Sequence, residues 1–254
     1  ANAPGCVVAP QDRGLLTALQ STSSFTEAQA LDLLKQAGFP VVEHAACATA
    51  DEAAQALEKF GGRVVVKLLS PDILHKSDVG GVKLGLSTPD AVRSAFEEVV
   101  TSACKHVPDA RIEGALVAPM VDDGVECILG VHIDPVFGPV VMVGLGGVMV
   151  EVLRDVSFRL APFDHATARE MIDSLRGKDL LYGARGRPKA DVAALANALV
   201  RLSQFAAATR EHLCSIDINP FLVLPEGRGA VAVDAVIEPG LRSQTARAEK
   251  SPRP

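Results

Sequence analysis

The stretch that most constrains this chain is VVVKLLSPDILHKSDVGGVKLGL, Val64 to Leu86. Its opening, RVVVKLL, predicts a buried strand by length and β-branched content. One charged residue, Lys67, interrupts the aliphatic run. A buried lysine is costly unless its ammonium meets an anion, and polyphosphate is a natural partner. The other reading open to the local sequence is an edge strand whose lysine snorkels to water. A loop opened by Pro71 then carries His75, and Gly80 and Gly81 lead into a second apolar strand. Paired glycines let a backbone approach a ligand and cradle phosphate, or simply make a hairpin turn. GLGG, Gly144 to Gly147, is open to the same two readings.

Helix signals surround this stretch. Thr26 and Gln29 form a capping-box pattern before ALDLLKQAG, and Gly38 and Pro40 stop that helix. Thr49 and Glu52 repeat the device for a helix ending near Gly61. Thr88-Pro89-Asp90 starts a third, running to about His106. The middle of the chain changes character. GALVAPMV, VECILGVHI, GPVVMVGL and GVMVEVL read as short, mostly buried antiparallel strands. Two helices follow, HATAREMIDSL and ADVAALANALVRLSQFAAATR, then strands CSIDINPFLVL and GAVAVDAVI. This order predicts an α+β or mixed α/β fold in two lobes with a seam near Glu113. The expected organisation is a leader or linker over 1–24, an N-terminal lobe over 25–113 and a C-terminal lobe over 114–239. A disordered tail is expected over 240–254.

Period two places Asp217 and Asn219 of IDINP on one strand face, and Asp234 lies on the next predicted strand. Three oxygen donors on paired strands suit Mg²⁺, which keeps waters and takes phosphate oxygens for the rest. A buried hydrogen-bonded network is the alternative. His75 is a loop histidine. Such a residue is either a plain surface group or, as a neutral imidazole near pH 7, a nucleophile able to accept a phosphoryl group.

Composition excludes several classes. Of the 254 residues, 48% are hydrophobic, enough to bury a substantial core. The net charge of −6, the absence of Trp and a single Tyr argue against a nucleic-acid surface. No uninterrupted apolar run approaches a membrane helix of roughly 20 residues, and the N-terminal stretch lacks a signal-peptide pattern. Five scattered cysteines, Cys6, Cys47, Cys104, Cys127 and Cys214, include no C-x-x-C pair. They read as reduced thiols in a cytoplasmic protein.

Taken in order, the Val64–Leu86 stretch, DPVFGPVVMVGLGGVMVEVLRDVSFRLAP, LLYGARGRP, DINP and the later VDA resemble the ATP-grasp (β) part of NDP-forming acyl-CoA synthetases. The ADP-forming acetyl-CoA synthetases are the best-known members, and succinyl-CoA synthetase β subunits are more distant relatives. The resemblance runs from about Phe25 to Pro239. It implies a two-lobed ATP-grasp fold and the nucleotide half of the reaction acid + CoA + ATP ⇌ acyl-CoA + ADP + phosphate. By that resemblance Lys67 contacts ATP phosphates, and Gly80 and Gly81 close over them. The backbone of Val117, Ala118, Pro119, Met120 and Val121 reads adenine, and Glu126 adds a polar contact. Asp217, Asn219 and Asp234 hold Mg²⁺. His75 is the phosphohistidine that shuttles phosphoryl between two distant sites. Arg159 and Arg185 sit in family motifs and hold phosphate or an interface. CoA, the acyl acid and a first phosphohistidine belong to an α subunit or fused α domain, in a hetero- or homo-oligomer.

One departure is plain. Members often carry an acid two residues before the DINP aspartate, where this chain has Ser215. Two further classes share parts of the pattern. One is a regulatory ATP-grasp-like domain of a larger acyltransferase. The other is a carboxylate–amine ligase working through an acyl phosphate, which would not need His75.

Overall fold

The computed structural model describes residues 17–20, 22, 24–73, 75–147, 155–186 and 188–240. The predicted helix starts form where their side chains dictate. In α1 (Glu27–Gln36) the Thr26 hydroxyl accepts from the Gln29 amide, and the Gln29 side chain accepts from the Thr26 amide at 2.9 Å. Both halves of the capping box are present, so two amides without an intrahelical partner are satisfied. Thr49 caps α2 (Ala50–Phe60), and Gly61 ends it at φ 70°, a left-handed conformation that glycine adopts without a Cβ clash. Thr88 caps α3 (Pro89–His106), with proline in its first turn.

The first sheet has the order β1-β4-β2-β3, all antiparallel. Its strands are β1 (Ala45–Cys47), β2 (Val64–Leu69), β3 (Val82–Leu86) and β4 (Gly114–Pro119). Every residue of β2 is buried. Alternation divides its side chains between the two faces. Val64 and Val66 pack with Leu57, Val92, Phe96 and Val99 under α2 and α3. Val65 and Leu69 face the other way and join the large core of the second sheet. Lys67 shares that second face, which decides where its charge goes.

The second sheet runs β10-β8-β5-β6-β7, with β9 also on β8. Its strands are β5 (Val125–Asp134), β6 (Gly138–Leu145), β7 (Val156–Leu160), β8 (Leu213–Val223), β9 (Ala230–Ala232) and β10 (Ala235–Pro239). Leu129, Val131, Val141, Val143, Ile216 and Ile218 pack against Leu195, Leu199, Leu202 and Phe205 of α5 (Val192–Thr209) and Met171 and Ile172 of α4 (His165–Asp173). α5 is long and apolar enough to cross a membrane by length and composition, and 61% of it is buried in this core. The registers Asp217↔Gly130, Gly130↔Met142 and Met142↔Phe158 define a row across the sheet's other face.

Three expectations are corrected. GALVAPMV does not join the later strands: β4 pairs with β1 and β2, so the boundary between sheets falls between Pro119 and Val125 rather than near Glu113. The physical reason is that β2 needs a partner on each side, and β3 supplies only one. GAVAVDAVI is two strands, not one. The chain leaves the ladder at Val233 and Asp234, so Asp234 sits in the break and not on a strand. A strand absent from the expected set, β7, edges the second sheet. The expected strand GVMVEVL lies, beyond Gly147, outside the described residues, as do 1–16 of the expected leader and 241–254 of the expected tail.

Candidate active site

Two buried lysines and two carboxylates from four separate parts of the chain meet where the sheets come together. Lys67 reaches out of the first sheet and donates to Glu27 Oε1 at 2.7 Å, Asp234 Oδ2 at 3.0 Å and the Val233 carbonyl at 3.0 Å. Lys76, the first residue of a 3₁₀ turn (Lys76–Val79), brings its ammonium within 2.8 Å of Glu27 Oε2 and 3.7 Å of Asp234 Oδ1. Glu27, Lys67 and Lys76 are 4%, 6% and 7% exposed. The 2.8 Å contact is an ion pair without hydrogen-bond geometry, and Glu27 Oε2 has no hydrogen-bond partner. Burial alone would depress the Lys67 ammonium. The charges of Glu27 and Asp234, with their hydrogen bonds, outweigh it and hold its pKa above the usual lysine value.

Each member is placed by a local device. The Thr26 cap sets Glu27 in the first turn of α1, where the helix dipole favours a carboxylate. Strand alternation aims Lys67, and the break after β9 frees the Asp234 side chain from the sheet. Of the four, the sequence pattern singled out Lys67 and Asp234 only. Glu27 reads in sequence as part of a cap, and Lys76 as a polar loop residue. No local pattern marks either as a partner of Lys67.

Beside this cluster, Asp217 and Asn219 project from β8 as alternation predicts, and both are exposed. The Asn219 amide donates to the Asp234 carbonyl at 3.2 Å. Desolvation, then the charge of Asp234, pushes the Asp217 carboxyl up, while nearby His75 pulls it down. His75 is exposed and precedes the turn. The structure therefore gathers Lys67, His75, Asp217, Asn219 and Asp234 at one place. Among the described residues no three His, Cys, Asp or Glu side chains stand together at metal-ligating spacing, and Asp234 is already engaged by both lysines. Asp217 and Asn219 offer open oxygen donors, and a cation such as Mg²⁺ that took Asp234 as well would have to draw it from its lysines.

The glycines have structural reasons of their own. Gly80 ends the 3₁₀ turn in the left-handed region at φ 66°. A Cβ on Gly81 would lie 2.9 Å from the Lys76 carbonyl and 3.0 Å from Leu68 Cβ. At Gly146 a Cβ would strike Glu126 Cβ at 2.9 Å, so part of GLGG is a close approach to β5.

Other expected residues are more dispersed. Val117 lies in register between Ala45 and Val66 inside the first sheet, and Ala118 opposite Val65. The Met120 amide donates to the Arg63 carbonyl at 2.8 Å. Only the Met120–Val121 end of that segment leaves the ladder. Glu126 is exposed at the start of β5. Arg159 is not brought to the cluster. It sits on β7, four strand spacings (~19 Å) from β10, and donates to the Phe158 carbonyl at 2.8 Å. Arg185 lies in a 3₁₀ turn (Ala184–Gly186), and its side chain is outside the described residues.

A family model described as ATP-grasp domain matches residues 17–238. The chain belongs to the ATP-grasp family. It is 41% identical over 218 residues to the β subunit of the ADP-forming acetate–CoA ligase II of Pyrococcus furiosus, covering 86% of this chain and 92% of that one. A 40% match to the ADP-forming 4-hydroxybutyrate–CoA ligase of Nitrosopumilus maritimus covers 83% of this chain and 30% of that longer one. Acetyl-coenzyme A synthetase 1 of Ca. Korarchaeum cryptofilum, solved with coenzyme A and Ca-AMPCP, superposes with TM-score 0.85 at 38% identity, over 90% of this chain and 100% of that one. The same enzyme was solved with Mg-AMPPCP and its phosphohistidine segment pointing towards the nucleotide binding site (TM-score 0.76, 35% identity, 91% and 100% covered). It was also solved with that segment phosphorylated in the site I orientation (TM-score 0.79, 36% identity, 91% and 100% covered). The mixed α/β architecture and the two antiparallel sheets of this chain are those of the ATP-grasp fold.

Proposed function

We propose that this chain is the nucleotide-binding portion of an ADP-forming acid–CoA ligase, relaying phosphoryl through His75. The observation that carries the reading is the convergence of Lys67 of the first sheet and Asp234 of the break between β9 and β10, beside Asp217 and the His75 turn. A triphosphate entering here meets Lys67, whose two carboxylate partners act as placeholders for its anionic oxygens. A His75 ring nitrogen attacks the γ-phosphorus, the bond from that phosphorus to the β–γ bridging oxygen breaks, and ADP leaves with that oxygen's electron pair. Asp217 holds the imidazolium character that develops on His75. Asp217, Asn219 and Asp234 are the residues that would hold Mg²⁺, which would supply charge neutralisation on the phosphates. Gly80 and Gly81 shape the turn beside the phosphates, the Met120–Val121 end of the Val117–Val121 segment and Glu126 face the base, Arg159 belongs to interface contacts, and Arg185 belongs to phosphate or interface contacts.

The phosphoryl group passes from His75 to a CoA-binding α portion, a separate subunit in an oligomer or a fused domain, in the cytoplasm. The expected division is an N-terminal lobe carrying the histidine and a C-terminal lobe carrying the metal carboxylates. The test is labelling with γ-³²P-ATP and Mg²⁺. His75→Ala, with its melting curve unchanged, loses protein-bound label that is acid-labile and base-stable. Label retained at the wild-type level removes His75 as the carrier.

A further inference from the structure

We propose that Glu27 is a positioning residue that docks the His75 turn at the nucleotide site by holding Lys76. The inference rests on the reading of His75 as phosphoryl carrier and adds to it the residue that sets where the carrier rests. Ser77 and Asp78 of the turn are exposed, yet Lys76, next to His75, points inward and is 7% exposed. Its ammonium lies 2.8 Å from Glu27 Oε2, an oxygen that has no hydrogen-bond partner. Glu27 Oε1 is already on Lys67. Each oxygen of one carboxylate therefore serves a different lysine, one from β2 and one from the turn.

The turn transmits that position to the histidine. Asp78 donates to the His75 carbonyl at 3.2 Å, Gly80 to that of Ser77 at 3.1 Å, and Gly81 to that of Lys76 at 2.8 Å. Glu27 in turn is set by the capping box of α1. A continuous path of contacts thus runs from the Thr26 cap through Glu27 and Lys76 to His75. The related synthetase shows its phosphohistidine segment in two orientations. A segment of this chain that made the same excursion would have to surrender Lys76 from Glu27, because Glu27 belongs to α1 and not to the turn. Glu27 consequently weights the resting population towards the nucleotide side.

The measurement is amide hydrogen exchange over residues 76–81 in the full chain without nucleotide, for Glu27→Gln, Lys76→Met and the double variant. Both single changes are expected to speed exchange there by about tenfold or more, leaving β5 and β6 amides as in wild type. The double variant is expected to be no more than about twofold faster than either single one, because both changes cut the same link. Lys76→Met leaves Lys67 both of its carboxylates and guards against misfolding of Glu27→Gln. It is also expected to slow ³²P labelling of His75 by about tenfold while nucleotide affinity stays within about twofold. Wild-type exchange at 76–81 in Lys76→Met, or additive effects in the double variant, overturns the proposal. Absence of label even in wild type sinks the carrier reading instead and leaves the exchange result to stand or fall by itself.

Discussion

Replacing Lys67 with methionine keeps the length and apolar stem of the side chain and removes its charge. The substitution leaves Glu27 and Asp234 with Lys76 as the remaining ammonium, at 2.8 and 3.7 Å. Lys67 and Glu27 are 6% and 4% exposed, so water screens the loss little. Removing one partner of a buried pair costs about 3–5 kcal/mol, a large share of the roughly 5–15 kcal/mol that holds a domain together. At about 2–4 °C per kcal/mol for a chain of this size, Lys67→Met is expected to melt roughly 6–20 °C below wild type. Adding Glu27→Gln removes the stranded carboxylate and leaves one lysine with one aspartate. The double variant is therefore expected to be less destabilised than the sum of the singles, by about 1–3 kcal/mol. The assay is chemical denaturation of the two single variants, the double variant and wild type at pH 7. Glu27 and Asp234 hold the Lys67 pKa above the usual lysine value, so its contribution is complete below that usual value and fades as pH rises through the higher folded one. The penalty should accordingly be flat from pH 7 to 10 and shrink in stronger alkali. A melting loss under about 2 °C, or additivity within about 0.5 kcal/mol, would refute the idea that these groups form one buried network.

Asp217 carries a raised pKa, so its charged form is disfavoured by folding at neutral pH. Asp217→Asn should raise the melting temperature at pH 7. The gain should shrink as pH falls through the raised folded value and vanish below the usual aspartate value, where both states are protonated, and Mg²⁺-dependent ADP binding measured by calorimetry should weaken. A lower melting temperature at pH 7 would contradict the upward push that burial and then the Asp234 charge exert on Asp217. Burial pushes the Cys47 thiol up to about 11 and that of Cys127 up to about 12, with Glu52 and Glu126 adding to it. Iodoacetamide at pH 8 should modify exposed Cys104 and Cys214 and spare Cys47 and Cys127, read by peptide mass. Modification of Cys127 in the folded chain at a rate matching Cys214 would show that its strand opens.

What the sequence determined by itself was whatever depends on neighbours a few residues away. Thr26 with Gln29, Thr49 with Gly61, and Thr88 with Pro89 mark helix ends because a cap is made within one turn of chain. The β2 strand, and Asp217 and Asn219 on one face of β8, follow from period-two geometry. The resemblance to ATP-grasp synthetases rests on ordered motifs of the same short range. The tertiary structure decided everything that hangs on distant contacts. Lys67 finds Glu27 across 40 residues and Asp234 across 167, so whether it snorkels or is paired is invisible locally. β4 joins the first sheet because β2 lacked a second neighbour, and Arg159 falls on the far edge of the other sheet. Glu27 and Lys76 escaped notice because a carboxylate in a helix's first turn and a lysine in a loop are ordinary surface residues until packing removes the water around them. Burial in a low-dielectric contact turns such charges into a site, and burial is a property of the assembled layers, not of any short stretch of chain.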